Sequence, residues 1–207
     1  MSRKLLLAAT LACVAWTLVS LLPQANADAT DEIKRLAALM DWGPGTVVAD
    51  IGAGDGSYTF AAARLVGGPG KLFATEIDEE KLANLRSQVT KRRLTNVIVI
   101  ESKEADTNLP TECCDAIFLR RVYHHLTRPA EFDQALVRSL KSGGRLAIIE
   151  FPPRSGLEPV EGVPANRGGH GIPQKVVVEE LTSAGLQLAK TINDWPADDY
   201  CLLFLKK

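Results

Sequence analysis

Short apolar runs alternate with amphipathic stretches along most of the chain, and this alternation limits the folds open to it. Runs at 46–51, 71–76, 97–101, 116–119 and 145–150 have the length and composition of buried strands. Helical patterns follow at 57–66, 79–92 and 129–140. Strands joined by helical crossovers form a parallel sheet with helices on both faces. A chain of 207 residues suits one such α/β domain better than two.

The two flanks of this pattern differ from its middle. Before the first strand, a helix is predicted at 32–40, capped by Thr30 or Asp31. After the fifth strand, a helix at 173–184 leads to strands near 186–193 and at 200–205, and the short turn between these strands predicts an antiparallel hairpin. Residues 151–172 are rich in proline and glycine and leave the ligand-binding edge of the sheet, so they predict a lid-like loop.

The first 27 residues predict a secretory signal peptide. Arg3 and Lys4 precede an uncharged run at 5–22, and small residues at 25 and 27 predict cleavage between Ala27 and Asp28. A domain of residues 28–207 would then be exported, to the periplasm or the medium. An uncleaved membrane anchor formed by residues 5–22 is the alternative.

Charge and cysteine content limit the kinds of partner and cross-link that the chain is expected to have. The net charge is −1, and without residues 1–27 there remain 22 basic against 25 acidic residues, so no basic surface indicates nucleic acid and nothing beyond the N-terminal segment indicates a membrane. Cys113, Cys114 and Cys201 would remain, an odd number that is not a disulfide framework. Adjacent cysteines rarely bridge each other, so we interpret Cys113 and Cys114 as small buried side chains, with Cys201 too distant to bridge to them.

A glycine loop carries the strongest functional signal. Asp50 ends the first strand and is followed by Gly52-x-Gly54-x-Gly56 and a helix. Glycines let a ligand approach the backbone, and a helix start offers free N–H groups. The dinucleotide fingerprint is G-x-G-x-x-G, so this spacing argues against a nicotinamide cofactor. Asp50 would either order the loop or meet an ammonium group.

The second strand ends in Glu76, whose carboxylate is placed to accept the hydroxyl groups of a ribose. Asp78 is interpreted as the cap of the following helix.

These segments resemble the motifs of one family in its order along the chain. Residues 47–57 resemble motif I of the class I methyltransferases that use S-adenosylmethionine (SAM), and residues 74–78 resemble their acidic second motif. Residues 114–119 with 123–126 are similar to the fourth-strand motif, and 140–146 to the turn before strand five. The resemblance implies a Rossmann-like sheet of seven strands, order 3-2-1-4-5-7-6, with strand seven antiparallel and helices on both faces. It also implies SAM as cofactor and methyl transfer to a small-molecule acceptor.

The resemblance assigns the cofactor site residue by residue. The family's acidic residue after the third strand has no direct counterpart, because Lys103 holds that position, and Asp106 or Glu104 is the substitute. The predicted cofactor ligands are Asp50, Gly52, Ala53, Gly54, Gly56, Tyr58, Glu76, Ile77, Asp106 and Arg120.

Residues after the fourth strand are the candidates for catalysis. His124 is the first candidate for a general base and Tyr123 the second, while His170 in the lid-like loop is placed to close onto the acceptor. His125 is interpreted as a structural histidine. No carboxylate shares the histidine spacing, so we expect no metal.

Two other functions remain open at this point. One is an exported, non-catalytic protein of the same fold that binds SAM or a nucleoside, because SAM is made in the cytoplasm. The other, less favoured, is a nicotinamide-dependent oxidoreductase.

Overall fold

The protein folds as one sheet covered by helices. The computed structural model describes residues 24–207, and only the backbone of 24–28, so the predicted signal peptide lies almost wholly outside the described residues. The elements are α1 (Gln24–Met40), β1 (Val47–Ile51), α2 (Ser57–Val66), β2 (Lys71–Glu76), α3 (Glu79–Lys91), β3 (Val97–Glu101), β4 (Cys114–Arg120), α4 (Pro129–Ser139), β5 (Leu140–Glu150), α5 (Gln174–Ser183), β6 (Gln187–Ile192) and β7 (Tyr200–Leu205). In the described part of the chain, no helix is long and apolar enough to cross a membrane.

The seven strands are ordered β3-β2-β1-β4-β5-β7-β6, and β7 runs antiparallel to β5 and β6, which confirms the predicted topology. Ile51 lies opposite Thr75 of β2 and Leu119 of β4. The carboxyl ends of β1, β2 and β4 therefore meet at one edge of the sheet. Open α/β sheets bind their ligands at this edge.

Each face of the sheet carries its own apolar core, as alternation along the strands requires. Val48 and Phe118 pack with α1 and α2, whereas Ala49 and Ile117 pack with α4 and α5. Helix α3 packs Leu85 against Ala74 and Phe60, beside the glycine loop. Helices on both faces are thereby confirmed.

The predicted start of the first helix is wrong. Helix α1 begins at Gln24, eight residues before the expected start, and Thr30 and Asp31 lie inside it. Residues 24–40 contain neither proline nor glycine and several alanines, so nothing in them interrupts a helix. By contrast, Asp78 caps α3 as predicted, since its carboxylate accepts a hydrogen bond from the Lys81 N–H at 2.9 Å.

The prediction for the adjacent cysteines is also wrong. Cys113 and Cys114 form a disulfide with each other, and Cys201 is free and buried as expected. Alternation separates neighbouring side chains only within a strand, and Cys113 lies in the turn before β4. The two sulfur atoms therefore need not point to opposite faces.

Residues 151–172 are packed against the domain around one arginine. Arg167 is 1% exposed and donates to the Glu180 carboxylate at 2.8 and 3.0 Å and to the carbonyl groups of Tyr123 and Leu126. At the base of the segment, the Ile172 N–H donates to the Phe151 carbonyl. Movement of this segment as a lid remains a prediction.

Candidate active site

A cleft of about 510 Å³ opens at the carboxyl edge of β1, β2 and β4. This volume is within the usual range for sites that bind small molecules and cofactors. The cleft is lined by Ile51, Gly52, Gly54, Glu76, Ile77, Lys81, Ser102, Lys103, Glu104, Arg120, Arg121, Val122, His125, Leu126, Thr127 and Phe132.

The glycine loop forms the floor of the cleft. Gly54 has a φ of +56°, and a Cβ there would meet only the Gly52 carbonyl, at 4.0 Å, so the space over Gly54 is open to a ligand. Gly56 has another role: it lies away from the cleft, and a Cβ there would come within 2.6 Å of the Phe60 ring. The Ala53 N–H donates to the Thr75 carbonyl at 2.9 Å, which fixes the loop to β2.

Glu76 stands beside this floor, where a ribose ligand was predicted. Its Oε1 accepts from the N–H groups of Ile77 and Asp78 at 2.8 and 3.2 Å, and its Oε2 accepts from Gly54 N–H at 2.9 Å. A carboxylate offers about four acceptor positions, so one direction remains for hydroxyl groups in the cleft. Ile77 next to it is 52% exposed and gives the cleft an apolar wall for a flat ring.

Asp50 does not line the cleft. It is buried and accepts a hydrogen bond from the Thr59 hydroxyl at 2.6 Å. Burial raises the pKa of Asp50 to about 7, the Thr59 hydrogen bond opposes this rise, and the nearby charges of Glu76 and Asp55 add to it. Of the two expected roles, the geometry matches ordering of the loop, because the carboxylate joins the end of β1 to α2.

The residues after β3 do not lie where the prediction of Asp106 as a cofactor ligand requires. Asp106 lies outside the cleft, where its carboxylate pairs with Arg138 at 2.8 Å. A tight turn, closed by the Lys103 N–H donating to the Asp106 carbonyl at 2.7 Å, directs Asp106 toward α4. Glu104, the other acidic residue considered, lines the cleft together with Ser102 and Lys103.

Arg120 and Tyr58 meet at a carboxylate that the sequence did not reveal. Arg120 lines the cleft, and its guanidinium lies 4.6 Å from the centre of the Tyr58 ring. Both side chains donate to Glu32 of α1. Glu32 lies 20 residues before Gly52, the first glycine of the loop, and belongs to α1, so no local pattern marks it.

Tyr123 is excluded from contact with a substrate in this structure. Its side chain is fully buried, and its hydroxyl donates to the Asp133 carboxylate at 2.9 and 3.0 Å. Burial, with the adjacent Asp133 charge, raises the pKa of Tyr123. Tyr123 therefore anchors α4 to the fold, and its assignment as a candidate base is corrected.

The structure places His125, and not the predicted candidate His124, on the wall of the cleft. His124 is buried, with Nδ1 2.9 and 3.0 Å from the Glu150 carboxylate oxygens, and Nε2 has no partner among the described residues. His125, interpreted as structural, is exposed on the cleft wall. The cause is the 3-10 helix at Tyr123–His125, which turns consecutive side chains by about a third of a circle.

His170 lies close to these two rings and is not part of the cleft lining. Its ring centre is 5.4 Å from that of His124 and 6.2 Å from that of His125, and its Nδ1 lies 3.0 Å from the Glu158 carbonyl oxygen. Partial burial, together with electrostatic interaction with His124, His170 and Lys81, lowers the pKa of His125 to about 4. His125 is therefore neutral at pH 7.

Residues 49–148 match the family model described as "Methyltransferase domain". Over 101 residues the chain is 37% identical to a protein of Sulfurisphaera tokodaii named probable cobalt-precorrin-6B C(15)-methyltransferase (decarboxylating), covering 48% of this chain and 50% of that one. It is 30% identical over 108 residues to the ubiquinone/menaquinone biosynthesis C-methyltransferase UbiE of Azotobacter vinelandii, covering 52% of this chain and 43% of that one. The chain thus spans about half the length of these curated relatives.

Among solved structures, the fold is similar to a SAM-dependent methyltransferase from Aquifex aeolicus. The TM-score is 0.73 at 25% identity, and the match covers 89% of this chain and 94% of the other. The match therefore covers most of each chain.

Proposed function

We propose that this protein, a class I SAM-dependent methyltransferase, transfers the methyl group of SAM to a small-molecule acceptor bound in the cleft at the carboxyl edge of the sheet. One observation carries the proposal. Gly54 leaves the floor of a cleft of about 510 Å³ open, directly beside the carboxylate of Glu76. A carboxylate acceptor of hydrogen bonds beside an open glycine floor suits a ligand whose sugar bonds to Glu76 and whose extended chain crosses the glycine loop.

SAM supplies an electrophilic methyl group on a positively charged sulfur. The protein therefore has to bind SAM and the acceptor, orient them toward each other and exclude water from the cleft. Glu76 would hold the ribose hydroxyls, and Ile77 would pack against the base. Gly54 allows the ligand to approach the backbone, whereas Val122 fills the space that a Cβ at Gly52 would take. The cationic Arg120 would face the carboxylate at the amino-acid end.

His125 is the residue that we assign to the acceptor. Its imidazole is exposed in the cleft and neutral at pH 7, so it can accept a hydrogen bond or a proton from the attacking group. Val122, Leu126 and Phe132 supply apolar surface on the same wall. The names of the two relatives refer to a precorrin and to quinone biosynthesis, which supports a small-molecule acceptor here.

Calorimetry with SAM, S-adenosylhomocysteine and NAD tests the cofactor. We expect both adenosyl compounds to bind and NAD to bind weakly or not at all. Gly54→Arg should weaken SAM binding by more than about a hundredfold, because the side chain fills the open floor. Gly68→Arg is the matched control: nothing lies within 4 Å of a Cβ at this distant turn, so affinity should be unchanged. Binding to NAD alone, or equal affinity of both variants, would refute the proposed site.

Transfer is tested separately from binding. The protein is incubated with SAM and a panel of small nucleophiles, and S-adenosylhomocysteine is quantified against a blank without acceptor. Turnover by the wild type that His125→Ala lowers at unchanged SAM affinity would support the acceptor assignment. Tight binding of SAM without turnover on any nucleophile would instead favour a binding protein of this fold.

Export of this methyltransferase is proposed from residues 1–27 alone. Fractionation of expressing cells and N-terminal sequencing test it. A mature chain that starts at Asp28 outside the cytoplasm supports export with cleavage, and an intact N-terminus in the membrane fraction supports the anchor. A full-length cytoplasmic protein would refute both.

A further inference from the structure

Glu32 is a buried carboxylate on which three separate parts of the fold converge. It is 6% exposed, and its two oxygens accept four hydrogen bonds. Oε1 accepts from the Tyr58 hydroxyl at 2.8 Å and from Arg120 Nη2 at 3.2 Å, while Oε2 accepts from Arg120 Nε at 3.1 Å and Trp195 Nε1 at 2.9 Å. The donors come from α2, the end of β4 and the turn before β7, and Glu32 itself belongs to α1.

Burial of a carboxylate is costly, and replacing a buried ion pair by apolar residues is often neutral or stabilising. Stability alone is therefore a weak reason for Glu32 to occupy this position. Its contacts instead fix one group in space. The carboxylate holds the Nε and Nη2 edge of Arg120, and the Tyr58 ring lies against the guanidinium face at 4.6 Å.

The orientation that results leaves part of Arg120 available to the cleft. A guanidinium has five N–H donors, and Glu32 engages one on each of two nitrogens. Among residues 29–207, whose side chains the structure describes, Nη1 of Arg120 has no hydrogen-bond partner, and Arg120 lines the same cleft as Gly54 and Glu76. An immobilised fork with a free nitrogen matches a ligand carboxylate.

The strand order indicates which end of the ligand Arg120 would meet. The glycine loop after β1 lies between Glu76, at the end of β2, and Arg120, at the end of β4. If the ribose is held at Glu76, a ligand that crosses the loop brings its other end to Arg120. The other arginine on the cleft wall, Arg121, is already engaged by Asp199 at 2.8 Å.

We infer that Glu32 is a positioning residue for the amino-acid end of SAM: it orients Arg120 for the methionine carboxylate and couples the docking of α1 to cofactor binding. This inference rests on the proposed function. It assigns to α1 a part in cofactor recognition that neither the glycine loop nor the motif after β4 contains.

The test compares SAM and S-adenosylhomocysteine, which both carry the amino-acid group, with 5′-methylthioadenosine, which keeps the adenosine and lacks the ammonium and carboxylate. S-adenosylhomocysteine and 5′-methylthioadenosine are both neutral thioethers at sulfur, so the comparison of these two isolates the amino-acid end. Calorimetry on the wild type and Glu32→Gln should show SAM and S-adenosylhomocysteine weakened at least about tenfold and 5′-methylthioadenosine changed less than about twofold. Arg120→Lys, which keeps the charge and loses the fork, should show the same selectivity.

Asp31→Asn is the matched control, since it makes the same kind of change at the preceding residue of α1, where the carboxylate is exposed and pairs only with Lys34 among the described ion pairs. We expect its SAM affinity to stay within about threefold of the wild type. Glu32→Asp should recover part of the SAM affinity lost in Glu32→Gln. Thermal unfolding of every variant checks the fold, and Arg120→Lys decides the question if Glu32→Gln does not fold.

Equal loss of affinity for all three ligands in Glu32→Gln and Arg120→Lys would show a merely structural role and overturn the inference. Unchanged SAM affinity in both variants would overturn it as well, while leaving the proposed function intact. Failure of the wild type to bind SAM is a distinct result that overturns the proposed function and, with it, this inference.

Discussion

The two halves of the ligand-binding edge are built on different principles. Over β1 and β2 the wall consists largely of backbone, and the Glu76 carboxylate is held by three N–H groups. Over β4 and β5, side chains bond to one another: His124 to Glu150, and Tyr123 to Asp133. The first half keeps acceptor capacity at Glu76 for a ligand. In the second half Arg120 and His125 face the cleft, while the hydrogen bonds of Tyr123 and His124 hold the fold.

This difference shows that a polar residue near a site need not belong to it. Proximity in sequence placed Tyr123, His124 and His125 together at the end of β4, but only His125 reaches the cleft. The other two support the wall from behind.

The largest expected effect distinguishes two adjacent residues. His124→Ala leaves the Glu150 carboxylate buried without its imidazole partner, so the free energy of unfolding should fall by about 3–5 kcal/mol. His125→Ala, on the exposed cleft wall, should cost less than about 1 kcal/mol. Urea denaturation of both variants measures this. A larger loss for His125→Ala would mean that His125, and not His124, is the histidine that supports the fold.

The second prediction concerns the carboxylate that orders the glycine loop. The pKa of Asp50 rises from about 3.8 in the unfolded chain to about 7, so the folded protein binds the extra proton between these values. Stability from Asp50 is thus present below about pH 4 and is lost as pH rises through 7. Asp50→Asn should flatten the pH dependence of unfolding by about 2–4 kcal/mol between pH 4 and 8.

Asp133 titrates in the same sense, because burial raises its pKa to about 7 against the hydrogen bond from Tyr123. Part of the slope should therefore remain in Asp50→Asn. Urea denaturation of the wild type and Asp50→Asn at a series of pH values separates the contributions of Asp50 and Asp133 to the pH dependence of the free energy of unfolding. A slope in Asp50→Asn equal to that of the wild type would show that Asp50 is ionised at neutral pH.

The smallest effect tests whether the buried pair of Tyr123 and Asp133 influences cofactor binding in the cleft. Tyr123→Phe removes the hydroxyl that donates a hydrogen bond to Asp133, so the free energy of unfolding should fall by about 1–2 kcal/mol. SAM affinity should stay within about twofold of the wild type, as measured by calorimetry on the folded variant. A marked loss of affinity would join Tyr123 to the cofactor site and sharpen the role of α4.

The elements that could be predicted share a local cause. Strand β3 has the predicted bounds because its apolar run ends at a charged residue, and Glu76 lies where the end of β2 was expected. Gly52 and Gly54 line the cleft as predicted, since glycine spacing dictates the loop backbone. Backbone geometry is encoded within a few residues, so a single sequence reveals it.

What could not be predicted depends on contacts between distant parts of the chain. Glu32 acquires its role from Arg120 and Trp195, which are 88 and 163 residues away. Asp106 lies outside the site because its carboxylate pairs with Arg138 of α4. The start of α1 was misplaced because Thr30 and Asp31 are good N-cap residues in sequence, although both lie inside the helix.

The anchoring of the segment 151–172 also has a consequence for proteolysis. Two arginines in it are potential trypsin sites, but Arg154 is exposed while Arg167 is almost fully buried. Limited digestion should therefore cut within this segment after Arg154 and spare Arg167 until the fold opens. The cut separates β5 from β7, which pair along six residues and would keep the fragments associated. The segment is thus a place to divide the protein into two complementary pieces, one with the glycine loop and one with the closing hairpin.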